Sequence, residues 1–492
     1  MIHRVIPYKS IESVERIETP ISTRMENALG EWYEMYRGTP AWLTSHEGMK
    51  SMNLPSMISR EMARQVTLEM KWNISAKDDK GNNVNEETGE RIENPRSEYL
   101  KNEAEKLFRS LRAQFEKGCA SGGLIIKPYV KGEHIGFDFT PDWACYPAAF
   151  DDEGNMTDIV FRDVYTEGST VYTRLERHTL QENDAVKITQ KAFRTTKVRG
   201  GNTETDILGA EISLTDVPMW ADLEPETIIQ NSGGHLFGWY KVAASNTIDP
   251  DSPLGESIYA RAKDLIRDAD EQYSRLMWEY EGSELAIDVD PTVLRPKPGA
   301  SGKMEQPKLN ERLFRAVDLN ADESYHVFSP PIRDVSLLNG LNNILCRIED
   351  VCGLARGTIS ETTAQAMTAT QLKMLRQRTY ATVADNQESL EQCLKDVIRV
   401  MDLYATLYNL APEGEIDTSF EWDDSIITDN EQQAGERMTM LNAGIITKQE
   451  YRKWYLGETD AQAKAGIDAV NAEQMQALEQ MQSLQLPSDA AP

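Results

Sequence analysis

The sequence predicts an α+β fold in which antiparallel sheets lie between blocks of long helices. Three observations carry this. Near the N-terminus, from about residue 252 and again toward the C-terminus, apolar residues recur every three or four positions, the period of a helix with one buried face. Residues 124–200 instead read as short β-rich runs broken by Gly, Asn and Asp turn signals. The strands are grouped rather than alternating one by one with helices, which argues against a parallel α/β sheet.

From Met25 to Met70 the spacing predicts helices. "ALGEWYEMYRGTPAW" carries Trp32, Tyr33, Met35 and Tyr36, and "REMARQVTLEMKWNI" carries Met62, Val66, Leu68 and Met70. "SAKDDKGNNVNEETGERIENPRSE" is polar and reads as an exposed loop. A helix follows in "EYLKNEAEKLFRSLRAQFEKGCASGG", closed by glycines. The strand candidates are "LIIKPYVKGEHIGFDFT", "DIVFRDVYTEGSTVYTRLERHTL" and "VKITQKAF".

Ser252 followed by Pro253 predicts the start of another helix. Its stripe is Ile258, Ala262, Leu265, Ala269, Tyr273, Leu276 and Tyr280, and Gly282 ends it after roughly 40 Å. Short β-like pieces come next, "ELAIDVD", "FRAVDL" and "YHVFSPP", around the loop "RPKPGASGKMEQPKLNER". A helix over 334–352 is marked by Leu337, Leu341, Ile344, Ile348 and Val351. A third long helix runs from about Thr368 to Leu410, with Val383, Leu390, Leu394, Val397, Met401, Tyr404 and Tyr408 on one face, stopped by Pro412 and Gly414. A strand, "EIDTSFEW", precedes Thr428 and Glu431 in capping-box relation and two or three short helices. The Gln- and Met-rich tail from Ala472 is expected to fray.

Between the second and third long helices stands "GLARGTISETTAQAMTATQLK", small and hydroxylated. Helix-to-helix connections usually take about two to eight residues, so this longer one points to a functional loop.

Bulk properties narrow the function. The 492 residues, 40% hydrophobic and 27% charged, suffice for more than one domain. Cys119, Cys145, Cys346, Cys352 and Cys393 show neither a CxxC pair nor a zinc-ligand spacing, which fits a reducing compartment. The N-terminus does not read as a secretory signal and no apolar run has membrane-spanning length. The expectation is a soluble protein with no membrane partner. A net charge of -28 weighs against tight, sequence-independent nucleic-acid binding, which basic groups drive. An acidic wall suits DNA that must slide without sticking, although plain solubility explains the same charge.

Catalytic signals are weak. "GASGKM" lacks the GxxxxGK[ST] spacing of a phosphate loop, and GxGxxG, HExxH and GxSxG are absent. His3, His46, His134, His178, His235 and His326 are scattered. No cofactor, metal or catalytic residue is expected. Glu421, Asp423, Asp424 and Asp429 form an acidic group whose favoured reading is a solvated strand edge leading to a helix cap, with a divalent-cation or paired-carboxylate site as the alternative. Cys346 and Cys352 point to different sides of a helix and are read as packing residues.

The order of these parts resembles a bacteriophage portal protein of tailed phages with long non-contractile tails. "GGLIIKPYVKGEHIGFDF" and "VYTRLERHTL" resemble the wing, "FGWYKVAASNTIDPDSPLGESIY" the approach to the first stem helix, and "CGLARGTISETTAQAMTATQLK" the tunnel loop. "FEWDDSIITDNEQQAGERMTMLNAGIITKQEYRKWYLG" resembles the passage into the crown. The resemblance implies a wing over 1–251, stem helices over 252–282 and 334–353, and a clip over 283–333. It further implies a tunnel loop over 354–368, a long wing helix and strand over 369–429, and a crown with a flexible tail over 430–492.

Its partners would be eleven further copies in a homo-dodecameric ring, double-stranded DNA, the terminase large subunit, a head-completion adaptor, and the major capsid and scaffolding proteins. Its place would be the portal vertex of the virion, after assembly in the host cytoplasm. ATP hydrolysis would belong to the terminase. The resemblance places Arg356, Thr358, Ser360, Thr362, Thr363 and Gln365 at the DNA channel. It places Lys297, Lys303 and Lys308 at the docking face of the clip. Stem packing would fall to Ile258, Leu265, Leu276, Leu341, Ile344 and Ile348. For Arg356 two readings stand open, contact with the DNA backbone and capping of the preceding helix at its negative end. The competing functions are an acidic hydrolase using Asp423 and Asp424, and another phage head structural protein.

Overall fold

The N-terminal apolar spacings fold as helices in the computed structural model, which describes residues 7–45, 48–68, 70–77, 82–84, 91–196, 208–289, 297–298, 304–305, 313–316, 325–361, 369–422, 430–456 and 460–484. The chain divides into two units, Met1–Leu68 with Glu103–Leu410, and Glu69–Asn102 with Ala411–Pro492.

The first unit opens with α1 (Tyr8–Glu15), α2 (Thr23–Tyr36), α3 (Ala41–Ser45) and α4 (Leu54–Thr67). Ser22 caps α2 by accepting from the Met25 amide at 3.2 Å, and Pro55 stands in the first turn of α4. Met25, Leu29 and Trp32 are buried at helical spacing. The helix expected to reach Met70 stops at Thr67, and Met70 starts a strand, β1 (Met70–Ala76), in the second unit.

Helix α5 (Pro95–Ser121) begins three residues before the expected start because Asn94 and Ser97 cap it reciprocally, Asn94 Oδ1 accepting from the Ser97 amide at 2.7 Å. Strands β2 (Gly123–Lys131) and β3 (His134–Pro141) follow, then β4 (Cys145–Phe150), β5 (Met156–Glu167), β6 (Thr170–Gln181) and β7 (Ala185–Thr196); all but β4, which lies between two of the β-rich runs, fall on those runs. Beyond them come β8 (Ala210–Ile212), β9 (Glu226–Ile229) and β10 (Gly238–Lys241). They make two antiparallel sheets, one ordered β4-β5-β6-β7-β8 with β9 also on β7, the other β10-β2-β3. Strand β10 lies in "FGWYK", which was read only as the approach to a helix; it pairs Tyr240 with Leu124.

Helix α6 (Lys263–Gly282) begins eleven positions after Ser252, behind a 3₁₀ turn over Ala260–Ala262. Tertiary bonds hold the preceding segment out of helical form. The Ile258 amide donates to the Cys119 carbonyl at 3.1 Å, and buried Glu256 accepts from Thr247 Oγ1 at 2.6 Å and from Arg261 Nε at 3.0 Å. The helix therefore has 20 residues, roughly 30 Å.

The short β-like pieces fold as β11 (Ala286–Val289), β12 (Lys297–Pro298), β13 (Met304–Glu305), β14 (Phe314–Ala316) and β15 (Tyr325–Phe328). One three-stranded sheet is ordered β14-β11-β15, with β14 parallel and β15 antiparallel to β11. Helices α7 (Asp334–Cys352) and α8 (Ala369–Leu407) agree with the apolar spacing within a few residues. Val383, Leu390, Leu394, Val397, Met401 and Tyr404 of α8 are buried as expected, and Tyr408, beyond its end, is exposed.

α8 lies across β10 and β2. Tyr240 donates to Asn386 Oδ1 at 2.6 Å, and Arg399 reaches the carbonyls of Ser232 and His235, both at 2.6 Å. The backbones approach so closely that a Cβ on Gly238 would stand 2.1 Å from the Cys393 carbonyl oxygen. Under β2, Asp142 is fully buried with one long bond from the Trp239 indole at 3.4 Å, and its Oδ2 has no partner among the described residues. Burial raises that carboxyl from its ordinary value of 3.8 to about 7.

In the second unit β1 pairs antiparallel with β16 (Ile416–Trp422), Met70 opposite Trp422. Arg91 braces this pair from Ser419 Oγ at 2.6 Å and Glu421 at 2.8 Å. Helices α9 (Asn430–Asn442), α10 (Lys448–Leu456) and α11 (Asp460–Leu484) complete it. The tail expected to fray is helical through Leu484. Thr428 lies outside the described residues; a capping box forms instead at α10, where Thr447 and Glu450 exchange bonds of 2.7 and 3.1 Å.

Candidate functional site

Helices α6 and α7 form an antiparallel hairpin whose two ends are chemically different. At one end Arg333, just before α7, grips Glu279 near the end of α6. Its backbone N and Nε donate to Oε1 at 3.2 and 3.1 Å, and Nη2 donates to Oε2 at 2.8 Å. The Arg333 hydrogen bonds hold the Glu279 carboxyl below its usual range. Because β11, β14 and β15 lie between these two residues in the chain, the fork closes the neck of the small β module. Further along the hairpin, Gln272 Nε2 donates to the Leu337 carbonyl at 3.4 Å.

At the other end α7 stops at Gly353 in the left-handed conformation, φ 72°, which glycine adopts without strain. The chain then folds back on the helix it has left. The anchor is Glu349, a carboxylate buried in the last turn of α7. Its Oε1 accepts from the amides of Gly357 (3.1 Å), Ile359 (2.6 Å) and Ser360 (2.9 Å), and its Oε2 from Ser360 Oγ (2.7 Å). Such a charge leaves water only because every acceptor direction is filled. Asn342, two turns earlier, clamps Glu361 by accepting from its amide at 2.7 Å and donating to its carbonyl at 3.0 Å. The first limb of the loop is thus fixed to α7.

A helical hairpin whose two helices are joined through a small β module, and a clasped loop before a 39-residue helix, follow one another along the chain. The family described as "Phage portal protein, SPP1 Gp6-like" matches residues 50–484 of the 492. The chain belongs to this family. It is a ring subunit of a phage portal, a structural protein of the capsid vertex that serves DNA packaging. No curated protein matches the chain.

On this portal chain the channel residues read from sequence fall into distinct settings. Arg356 is partly exposed and forks onto Asp350 in the last turn of α7, with bonds of 3.2 and 2.8 Å that raise its pKa. It sits at the negative end of the helix through a side chain rather than through the free carbonyls. Thr358 Oγ1 donates to the Ala355 carbonyl at 2.6 Å. Ser360 is buried and its hydroxyl is committed to Glu349. Thr362, Thr363 and Gln365 lie outside the described residues, as do Lys303 and Lys308; Lys297 lies in β12, paired with Glu305.

Of the stem-packing set, Leu276, Leu341 and Ile348 are buried, while Leu265, Ile344 and Ile258 are half-buried. The buried arc of α7 is Leu341, Leu345, Ile348 and Cys352, so Val351, placed on the stripe by its spacing, is exposed. Burial pushes the Cys352 thiol up to about 12, which suits a packing residue. Glu421 pairs with Arg91, and Asp423, Asp424 and Asp429 lie outside the described residues.

Glu349, Asn342 and the Arg333–Glu279 fork were missed. One signal was present for Glu349: it falls inside the apolar arc of α7, where a carboxylate requires a set of donors. The loop that supplies them begins only a few residues later.

Proposed function

We propose that the chain builds a ring of twelve copies through which double-stranded DNA enters and leaves the capsid, with α6 and α7 as the stem. Residues 283–333 form the clip that meets the terminase large subunit and then the head-completion adaptor, with Lys297, Lys303 and Lys308 on its docking face. Residues 354–368 form the loop that faces DNA, presenting Arg356, Thr358, Thr362, Thr363 and Gln365. In this reading Ser360 anchors the loop instead of touching DNA. Residues 1–251 and the long helix form the wing, and 430–492 the crown. Assembly takes place in the host cytoplasm, where the ring joins the major capsid and scaffolding proteins.

The observation that carries this reading is the hairpin with a β module at one end and a clasped, hydroxyl-rich loop at the other. A net charge of -28 per chain accords with it, since a negative wall lets DNA slide. Hydroxyl and amide groups can exchange hydrogen bonds with phosphates without the holding charge of a lysine ring. Native mass spectrometry with negative-stain microscopy tests it: twelve-subunit rings with a central hole are expected, and a monomer or dimer at micromolar concentration would refute it.

A further inference from the structure

A ring needs two different surfaces on each subunit that fit one another, at the same height along the ring axis. The α6–α7 hairpin carries two different exposed apolar surfaces near one level. Between α6 on one side and α3 with the residues after it on the other there is a groove of about 680 Å³ walled by Trp42, Met49, Met277 and Trp278. Trp278 is 67% exposed, on the side of α6 turned away from buried Ala269 and Leu276. At the start of α7, Ile332, Val335 and Leu338 are exposed as well, Val335 also by 67%. Large apolar side chains grouped in this way on a soluble surface mark an interaction site. The Arg333–Glu279 fork fixes their levels, since Trp278 adjoins Glu279 and Ile332 adjoins Arg333.

Charge selects the occupant. A second copy of a chain carrying -28 repels the first wherever their acidic faces meet. The groove is an exception: Lys50, Arg267 and Arg275 balance Asp268, Glu271 and Glu281. Lys50 pairs with Glu281 at 3.5 Å and Arg275 with Glu271, while Arg267 pairs with Asp268 at 3.8 Å and with Asp264, outside the groove, at 3.5 Å. Two copies can therefore approach here without like-charge cost, and a tryptophan in a neutral groove is the kind of residue that dominates interface energies.

We propose that the Trp278 groove of one portal subunit receives Ile332, Val335 and Leu338 of the next, and that this contact closes the stem of the ring. The proposal rests on the ring reading, and its test separates the two. In a Cys346→Ser background the other native cysteines are buried. Trp278→Cys and Val335→Cys are introduced there together and singly. After ring formation is checked by negative stain, a short bis-maleimide is expected to give a ladder of linked subunits with the double variant and none with either single one. Thiols at 278 and 335 are expected to lose reactivity toward a mono-maleimide on ring formation. If the double variant stays unassembled with unchanged circular dichroism, the loss is that of an interface tryptophan, and Val335→Cys alone reads the protection. Rings in which both thiols remain fully reactive and no ladder appears would overturn the proposal and leave the ring standing. Absence of rings from the unsubstituted protein would remove both.

Discussion

Replacing Glu349 by alanine should release the first limb of the loop while leaving α7 folded. The carboxylate takes three backbone amides and one hydroxyl, at 2.6–3.1 Å. Bonds to a charged group contribute about 1.5–3 kcal/mol each, and burying the carboxylate costs several kcal/mol in return. The net hold on the loop is then roughly 2–4 kcal/mol, or about 30- to 700-fold in an opening equilibrium at 1.4 kcal/mol per decade. Glu349→Gln keeps an oxygen at the Oε1 position for the three amides and points an NH₂ group at Ser360 Oγ, so it should lose about 1 kcal/mol. Hydrogen exchange followed by mass spectrometry reads this directly. The amides of Gly357, Ile359, Ser360 and Glu361 should exchange faster by that factor in Glu349→Ala, only slightly faster in Glu349→Gln, and unchanged along Leu341–Ile348. Unaltered exchange at 357–360 in the alanine variant would refute the clasp, and general acceleration along α7 would show that Glu349 holds the helix rather than the loop.

Other consequences follow from the same geometry. Asp142 has a folded-state pKa raised from 3.8 to about 7, so the stability it contributes is present below pH 3.8 and lost as pH rises through about 7. At 1.36 kcal/mol per tenfold change in acidity the full loss is at most roughly 4 kcal/mol, so Asp142→Asn should flatten the pH dependence and exceed the parent in urea stability at about pH 8. An unchanged pH slope would count against it. Gly238→Ala places a Cβ 2.1 Å from the Cys393 carbonyl and should destabilise the first unit by about 3 kcal/mol or more, read as a lower urea midpoint. Arg356→Ala breaks a surface pair with Asp350 and should change stability by no more than about 1 kcal/mol. If Arg356 meets DNA, the same variant should lower packaging yield in a reconstituted assay while rings still form, and full packaging would assign it to the helix end alone.

The sequence by itself determined the elements. Spacing of four, three, four and three placed α7, an apolar face running to Tyr404 placed most of α8, and β-rich runs placed β2, β3, β5, β6 and β7, because these signals are local and survive in the chain's own period. It also marked the stretch after Gly353 as too long and too polar for a plain connection. Tertiary structure decided what those elements meet. The pairing of Met70 with Trp422 spans most of the chain and leaves no local trace, so β1 was read as the end of a helix. Ser252 and Pro253 make a sound helix start, but the bonds of Ile258 to Cys119 and of Glu256 to Thr247 and Arg261 hold that segment in turns. Glu349 reads as one more charge on a helix until the loop closes over it, and Ser360 as one more exposed hydroxyl until it bonds that carboxylate. Periodicity records which face of a helix is apolar; whether that face is covered by its own chain, as at Ile348, or left open, as at Val351, depends on contacts that exist only after folding.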